Sequence, residues 1–234
     1  MSQPRPEPTT HDSRLTSLFI TFEGIEGSGK SVQARQLADR LRSRGLRVLA
    51  TREPGGTSLG DALRDLLLNR DDLQVTARAE ALMMNAARAQ HVDQVIRPAL
   101  ARGEVVVCDR FGDSTRVYQG AGRGLDKQAL NSVISFATAG LHPDLTILLD
   151  LPVDDGLKRK HGHEEWNRFE AETRDFHERV RQAYLALAGT EPRRWQCFDA
   201  RKPAAELGED IWQQVAARLD LFPSETSDSY SNSE

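Results

Sequence analysis

Short apolar runs alternate with longer amphipathic stretches along most of this chain. Five runs are rich in branched or aromatic residues and predict β-strands, at 18–22, 47–51, 104–108, 145–149 and 195–198. Elsewhere, apolar residues recur at steps of three and four, the repeat of a helix with one buried face. These stretches predict helices at 32–44, 59–69, 75–102, 126–140, 154–160, 169–188 and 203–219. Strands that alternate with helices favour an α/β fold with three layers, in which helices cover both faces of a five-stranded parallel sheet.

Several segments interrupt this pattern. The first 17 residues hold three prolines and no apolar repeat, and 223–234 is a polar tail, so we expect both ends to be disordered around one domain at 18–222. Residues 112–124 are expected to begin as a helix and to end as a glycine-rich loop. The polar stretch 161–168 predicts a mobile loop, part of a lid at about 158–170. Pro98 is expected to kink the longest helix.

The bulk composition narrows the class of protein. With 234 residues, 38% of them hydrophobic, the chain is long enough for one large α/β domain. A net charge of −4 gives no reason to expect a nucleic-acid polymer as partner. No run reaches the roughly 18 apolar residues of a membrane span, and Cys108 and Cys197 lie apart in apolar stretches that predict buried free thiols. We therefore expect a cytoplasmic protein with no membrane partner.

The most informative segment is 24–31, which reads GIEGSGKS. It follows the first predicted strand and precedes the first predicted helix, the context in which G-x-x-x-x-G-K-[ST] forms a phosphate-binding loop. Its glycines permit backbone conformations that let loop N–H groups converge on phosphate oxygens at the start of a helix. The alternative is a glycine turn that binds nothing. The candidate ATP-binding residues are Gly24, Ile25, Glu26, Gly27, Ser28, Gly29, Lys30 and Ser31.

The other unusual polar segments also follow predicted strands. They are 52–58 (REPGGTS), 109–119 and the residues after Asp150. Right-handed crossovers bring the carboxyl ends of parallel strands to one edge of a sheet, which is where ligands bind in open α/β folds. The sequence therefore predicts one shared cleft at this edge.

Several blocks together resemble thymidylate kinase, over about 19–199. They read FEGIEGSGKS, TREPGGT, AARAQ with VIRPAL, DRFGDSTRVYQGAGRG and HPDLTILLDL. The resemblance implies phosphorylation of dTMP to dTDP by ATP and Mg²⁺, a step of dTTP biosynthesis. It also implies the P-loop fold of nucleoside monophosphate kinases and a homodimer built through helices.

Phosphoryl transfer depends chiefly on positive charge placed around the moving group. Lys30 and a Mg²⁺ ion ligated by the Ser31 hydroxyl are expected to hold the donor phosphates. Asp109 is expected to orient Mg²⁺ through water or to hold an arginine. Arg110 is the candidate that grips the acceptor phosphate bidentately, and Arg52 is similarly placed. The alternative for Asp109 and Arg110 is a structural ion pair at a strand end.

Further acceptor contacts are implied by the resemblance, position by position. It places Glu26 on the sugar 3′-hydroxyl and Arg88 on the base. A polar group near the base and deoxyribose comprises Ser114, Thr115, Tyr118 and Gln119. The alternatives are a solvated helix face for Arg88 and an ordinary core aromatic for Tyr118. The resemblance also suggests a cis peptide bond before Pro54.

Two positions depart from the family pattern. Relatives usually carry an aromatic pair before the AAR block, and its first ring stacks on thymine. Here the pair is Met84 and Asn85, and the Met84 thioether is the candidate that lies against the base. The lid has histidines near where a transition-state arginine is expected. Arg159 or Arg168 is the candidate for that cation, and a solvated helix end is the alternative.

These departures leave two rival functions open. One is a P-loop kinase for another deoxynucleoside monophosphate, and the other is a catalytically weakened nucleotide-binding homologue. A P-loop GTPase is disfavoured, because no N-K-x-D segment that would read guanine is present.

Overall fold

A computed structural model describes residues 17–70, 72–160, 169 and 172–221. Its five strands form one sheet. Its strands are β1 (Leu18–Glu23), β2 (Val48–Arg52), β3 (Val105–Asp109), β4 (Leu145–Asp150) and β5 (Trp195–Asp199). All neighbouring strands pair in parallel, in the order β2-β3-β1-β4-β5. The predicted five-stranded parallel sheet is confirmed.

Helices connect the strands and cover the sheet. They are α1 (Lys30–Ser43), α2 (Ser58–Leu68), α3 (Ala77–His91), α4 (Arg97–Ala101), α5 (Gly112–Thr115), α6 (Lys127–Thr138), α7 (Val153–Lys160), α8 (Arg174–Thr190) and α9 (Ala204–Arg218). Side-chain oxygens of Thr57, Thr76, Asp126 and Thr173 cap the N-termini of α2, α3, α6 and α8. These local signals explain why most predicted helices begin close to their observed starts.

Two π-helical segments modify the predicted helices. Val92–Ile96 joins α3 to α4 just before Pro98, where proline interrupts the ordinary hydrogen-bond ladder. Arg116–Gly122 continues α5, so the loop predicted there is wrong as far as Gly122. A Cβ at Gly122 would lie 2.5 Å from the Phe176 ring, so this glycine allows α8 to pack closely rather than breaking the helix.

The core lies on both faces of the sheet. One cluster includes Ile20 and Phe22 of β1 with Leu37 and Leu41 of α1. The other joins Phe19 to three residues that precede β3, namely Val92, Ile96 and Ala99. Because successive side chains of β1 point to opposite faces of the sheet, both layers of helices pack against this strand. Within the described residues, no helix is both long and apolar enough to cross a membrane.

The two cysteines have different surroundings. Cys108 is buried, as predicted, in β3, which lies between β2 and β1. Cys197 is exposed, and its predicted burial is wrong because β5 lies at the edge of the sheet and is only partly covered.

The sheet register sets the position of the site. Phe22 and Arg52 both align with Asp109, so the ends of β1, β2 and β3 lie side by side. Glu23 aligns with Leu148 of β4 on the other side. The polar segments that follow these strands therefore meet at the carboxyl edge, as parallel pairing requires.

Candidate functional site

The phosphate loop joins β1 to α1 through three glycines with positive φ. Gly24, Gly27 and Gly29 have φ of 143°, 74° and 89°, a region that residues with a Cβ seldom adopt. α1 begins at Lys30, and no side chain caps its first turn. Its first backbone N–H groups are therefore available to an anion at the helix N-terminus.

Lys30 is buried and folds back over this loop. Its Nζ donates to the Ile25 carbonyl at 2.7 Å and lies 3.3 Å from Ser28 Oγ. Burial, together with the positive charge of Arg110, lowers the pKa of Lys30 to about 8. The ammonium form still dominates at pH 7, and a bound polyphosphate would favour it further.

Ser31 and Asp109 form a pair of oxygen donors beside the loop. Ser31 Oγ donates a very short hydrogen bond to Asp109 Oδ2. The other oxygen, Oδ1, is buried and has no hydrogen-bond partner among the described residues. A hydroxyl and an under-used carboxylate oxygen suit Mg²⁺, which takes oxygen ligands and shares them with phosphate and water. The ion pair considered as an alternative does not form, because Arg110 pairs with Glu26 instead.

Arg110 is the centre of a network of polar side chains at this edge of the sheet. It follows β3 with φ of 71°, an uncommon conformation for a residue other than glycine. Nη2 donates to Glu26 Oε1 and Tyr118 Oη, both at 3.0 Å, and Nη1 lies 3.3 Å from Ser114 Oγ and from Tyr184 Oη. Burial acts to lower the pKa of Arg110, but the surrounding oxygens raise it well above the ordinary value. The guanidinium therefore stays charged inside the protein.

Glu26 supplies the opposing charge. Its Oε1 accepts hydrogen bonds from Arg110 and, at 2.7 Å, from Tyr118. On the other side His177 Nδ1 lies 3.4 Å from Oε2, and no described residue makes a well-formed hydrogen bond to that oxygen. Burial acts to raise the pKa of Glu26, but the neighbouring histidine and the charges of Arg110 and Lys30 hold it below the ordinary value. The carboxylate thus keeps one oxygen for a further donor.

Sequence reasoning missed Glu23, which is fully buried at the end of β1. Oε1 accepts from the Phe111 backbone N–H at 2.9 Å, and Oε2 accepts from Ser114 Oγ at 2.6 Å and Tyr184 Oη at 2.7 Å. Burial, followed by the negative charge of Asp113, raises the pKa of Glu23 to about 7. This carboxyl fixes the segment after β3. An acid at the end of an otherwise apolar run, LFITFE, was the available signal.

Arg88 is only 2% exposed, so the alternative of a solvated helix face is wrong. Nε donates to Glu53 Oε2 at 2.8 Å, Nη1 to Asn85 Oδ1 and Thr115 Oγ1, and Nη2 to the Phe111 carbonyl. A guanidinium has five N–H donors. Four are used by the described residues, which leaves one Nη2–H.

Glu53 was also missed by the sequence analysis. Its Oε1 lies 3.0 Å from His91 Nδ1, and His91 Nε2 lies 2.7 Å from Thr51 Oγ1. The Glu53–Pro54 bond is cis, as predicted. Glu53 therefore ties Arg88 to the end of β2, a contact between α3 and a distant strand that no local pattern reveals.

One cleft of about 770 Å³ collects most of the predicted site residues. On its wall are Glu26, Gly27, Gly29, Lys30, Ser31, Arg52, Met84, Arg88, Asp109, Arg110, Ser114, Thr115, Tyr118, Gln119 and Arg159. Gly24, Ile25 and Ser28 are not on this wall, although Ile25 and Ser28 contact Lys30. Arg168 lies outside the described residues. The cleft also contains Arg64, Leu68 and Phe169, which no motif distinguished.

Helix α7 approaches the phosphate loop through a pair of glycines. A Cβ at Gly156 would lie 2.6 Å from the Glu26 carbonyl oxygen, and a Cβ at Gly27 would overlap the Gly156 carbonyl. Arg159, one turn further along α7, is exposed, and its Nη1 lies 3.4 Å from the Gly27 carbonyl oxygen. The described start of the predicted lid is therefore seated directly on the loop.

Comparisons with known proteins agree on one family. The family model for thymidylate kinase matches residues 22–211. The thymidylate kinase of Pseudomonas savastanoi pv. phaseolicola is 50% identical over 207 residues, which are 88% of this chain and 99% of that protein. The thymidylate kinase of Desulfovibrio desulfuricans is 49% identical over 212 residues, with 88% and 96% covered.

A solved structure gives the same result. The crystal structure of thymidylate kinase from Ehrlichia chaffeensis matches with a TM-score of 0.69 and 30% identity, over 85% of this chain and 98% of that one. The family model, the relatives at about 50% identity and this structural match together show that the chain belongs to the thymidylate kinase family.

Proposed function

We propose that this protein transfers the γ-phosphoryl group of ATP to dTMP, giving ADP and dTDP, in the cytoplasm. The observation that carries the proposal is the single cleft in which a phosphate loop faces a second set of cations. Lys30 of the loop and three arginines from other segments, Arg52, Arg88 and Arg110, line this same cleft. Two nucleotides held end to end in such a cleft would bring donor and acceptor phosphates together.

The donor side would act through fixed positive charge. The loop N–H groups and Lys30 would hold the ATP phosphates, and they need no rearrangement as charge moves during transfer. Ser31 and Asp109 would hold Mg²⁺, because the Asp109 oxygen without a partner is suited to that ion. When bound, Mg²⁺ supplies charge neutralisation on the transferring phosphates.

Arg110 would bind the acceptor phosphate. Its bonds to hydroxyl oxygens are long, at 3.0–3.3 Å, and a phosphate offers stronger charge-assisted bonds to the same N–H groups. Glu26 binds the guanidinium directly, and Glu23 holds the hydroxyls of Ser114 and Tyr184 beside it, so the side chain would stay oriented when it changes partners.

The acceptor nucleoside would lie along the wall formed by α3 and the segment after β3. Oε2 of Glu26 is free to accept a hydrogen bond from the sugar 3′-hydroxyl. Arg88 would donate its remaining N–H to the base, while Met84 lies at the cleft and would contact the ring. Ser114, Thr115, Tyr118 and Gln119 complete this wall.

The lid would supply one more cation during transfer. Arg159 is supported by its place in the cleft and its contact with the Gly27 carbonyl. Arg168 stays a sequence-based candidate.

We also propose a homodimer. Helix α3 packs between α2 and α6, and these helices carry the exposed apolar residues Leu59, Leu82 and Phe136. Phe136 is 89% exposed, a costly placement for a large apolar ring unless a partner covers it. Phe136→Asp should therefore convert the dimer to a monomer in sedimentation experiments, and a wild-type protein that sediments as a monomer would contradict this assembly.

A competition assay tests the catalytic proposal. The protein is incubated with ATP, Mg²⁺ and equimolar dTMP, dUMP, dCMP and dGMP, and the nucleoside diphosphates are separated and counted. We expect dTDP as the main product. Preferred turnover of another nucleotide would reassign the acceptor, and no turnover above background would indicate a non-catalytic homologue.

A further inference from the structure

Glu80 is a buried carboxylate that the proposed mechanism does not use. It lies on α3, behind the acceptor wall of the cleft, and is 0% exposed. Its Oε1 accepts a hydrogen bond from Gln119 Nε2 at 2.7 Å. Arg123 Nε lies 3.3 Å from the same oxygen, and Arg123 Nη2 lies 3.2 Å from Oε2. A buried acid needs such partners, but only Gln119 among them is also on the cleft wall.

This contact determines which way the Gln119 amide faces. Glu80 is ion-paired with Arg123, and a carboxylate in an ion pair can only accept hydrogen bonds. The NH₂ end of Gln119 must therefore turn toward Glu80. Its carbonyl oxygen, Oε1, then faces away from Glu80, toward the cleft that Gln119 lines.

The wall thus presents a fixed pattern of hydrogen-bonding groups. Arg88 offers a donor, its remaining Nη2–H, and Gln119 offers an acceptor. Thymine and uracil present the complement, since O4 accepts and N3–H donates. Cytosine presents the reverse, an N4 amine that donates and an N3 that accepts, so it would leave polar groups unpaired on both sides.

We propose that Glu80 is a specificity-determining positioning residue. By holding the Gln119 amide with its oxygen toward the cleft, Glu80 makes the acceptor site select pyrimidines with a hydrogen on N3 over cytosine. The inference rests on the proposed function, since it concerns the base of the acceptor nucleotide. Glu80 itself touches no substrate and acts only through Gln119.

The variant Glu80→Met, which is close to glutamate in length, tests this role. It removes the carboxylate that Gln119 and Arg123 share, so Arg123, which can only donate, is the polar group left beside the Gln119 amide. The Gln119 amide would then flip, turning its oxygen toward Arg123 and presenting its NH₂ group, a donor, to the cleft. We expect the ratio of dissociation constants for dCMP and dTMP, measured by calorimetry, to fall by about 10- to 100-fold.

Two further variants make the test specific. Glu172→Gln alters the other carboxylate that binds Arg123 but leaves the Glu80–Gln119 contact intact, so the ratio should not change. Gln119→Met removes the oriented amide and should lower the ratio by itself. In that background Glu80→Met should add nothing, because its effect is transmitted by the amide that has been removed.

The outcomes separate this inference from the proposed function. If wild type binds and phosphorylates dTMP but Glu80→Met leaves the ratio unchanged, Glu80 has no role in base selection. If Glu80→Met does not fold, an unchanged ratio in Gln119→Met overturns the inference equally. If the wild-type protein binds neither nucleotide, the proposed function itself is wrong.

Discussion

A methyl group at position 156 should impair catalysis more than it impairs folding. In Gly156→Ala the new Cβ would lie 2.6 Å from the Glu26 carbonyl oxygen and 3.1 Å from Ile25 Cδ1. The first neighbour is backbone of the phosphate loop, which cannot rotate away as a side chain can. The contact is therefore relieved only if α7 and the loop move apart.

The size of that movement sets the expected effect. Ordinary contacts of a Cβ begin at 3.4 Å, so the separation must grow by about 0.8 Å in a densely packed region. Overpacking of this kind costs about 1–3 kcal/mol, and the higher helix propensity of alanine offsets about 1 kcal/mol. A displacement near 1 Å at a catalytic group costs up to about 100-fold in rate. We expect kcat to fall about 10- to 100-fold, with at most about 2 kcal/mol of lost stability.

The measurement pairs initial rates with urea unfolding. ADP formation is followed at saturating ATP and dTMP, and the free energy of unfolding is taken from the same preparations. Gly189→Ala is the matched control, since Gly189 is also helical, in α8, and a Cβ there meets nothing within 4 Å. The control should be slightly more stable with unchanged kcat. A Gly156→Ala enzyme whose kcat stays within twofold of the control would refute the close seating of α7 on the loop.

Three other changes test separate parts of the site. The raised pKa of Glu23 means that the folded state holds its proton more tightly than the unfolded state between pH 4.5 and about 7. The free energy of unfolding of the wild type should therefore fall by about 3 kcal/mol relative to that of Glu23→Gln as the pH rises through this range. If urea unfolding gives the same pH dependence for both proteins, the pKa of Glu23 is not raised. Lys30→Ala should lower kcat at least 100-fold without unfolding the protein, because Lys30 acts on charge that develops in transfer. Activity within about tenfold of wild type, or 1.4 kcal/mol, would refute its role. Met84→Phe should bind dTMP more tightly in calorimetry by restoring a stacking ring, and unchanged or weaker binding would show that Met84 does not face the base.

Much of this protein could be predicted before any tertiary structure was known. The phosphate loop depends only on consecutive residues, because a strand, a glycine-rich turn and a helix follow one another directly around Lys30. The parallel sheet follows from the alternation of apolar runs with helical repeats. Each of these depends on the chemistry of a few neighbouring positions.

The remaining features depend on residues that are far apart in the chain. Glu23 contacts Tyr184 across 161 positions, and Glu80 meets Gln119 across 39. Glu23 ends an apolar run, but that run does not show which residues the carboxyl contacts, and nothing in the local sequence distinguishes Glu80 from a solvent-exposed acid on a helix. Burial and the identity of the partner decide whether such a group binds a proton, orients an amide or holds an arginine. The sequence alone predicted the phosphate-binding loop, whereas the tertiary structure decided which acids are buried beside Arg88, Arg110 and Gln119, because only folding removes these acids from water and gives them partners.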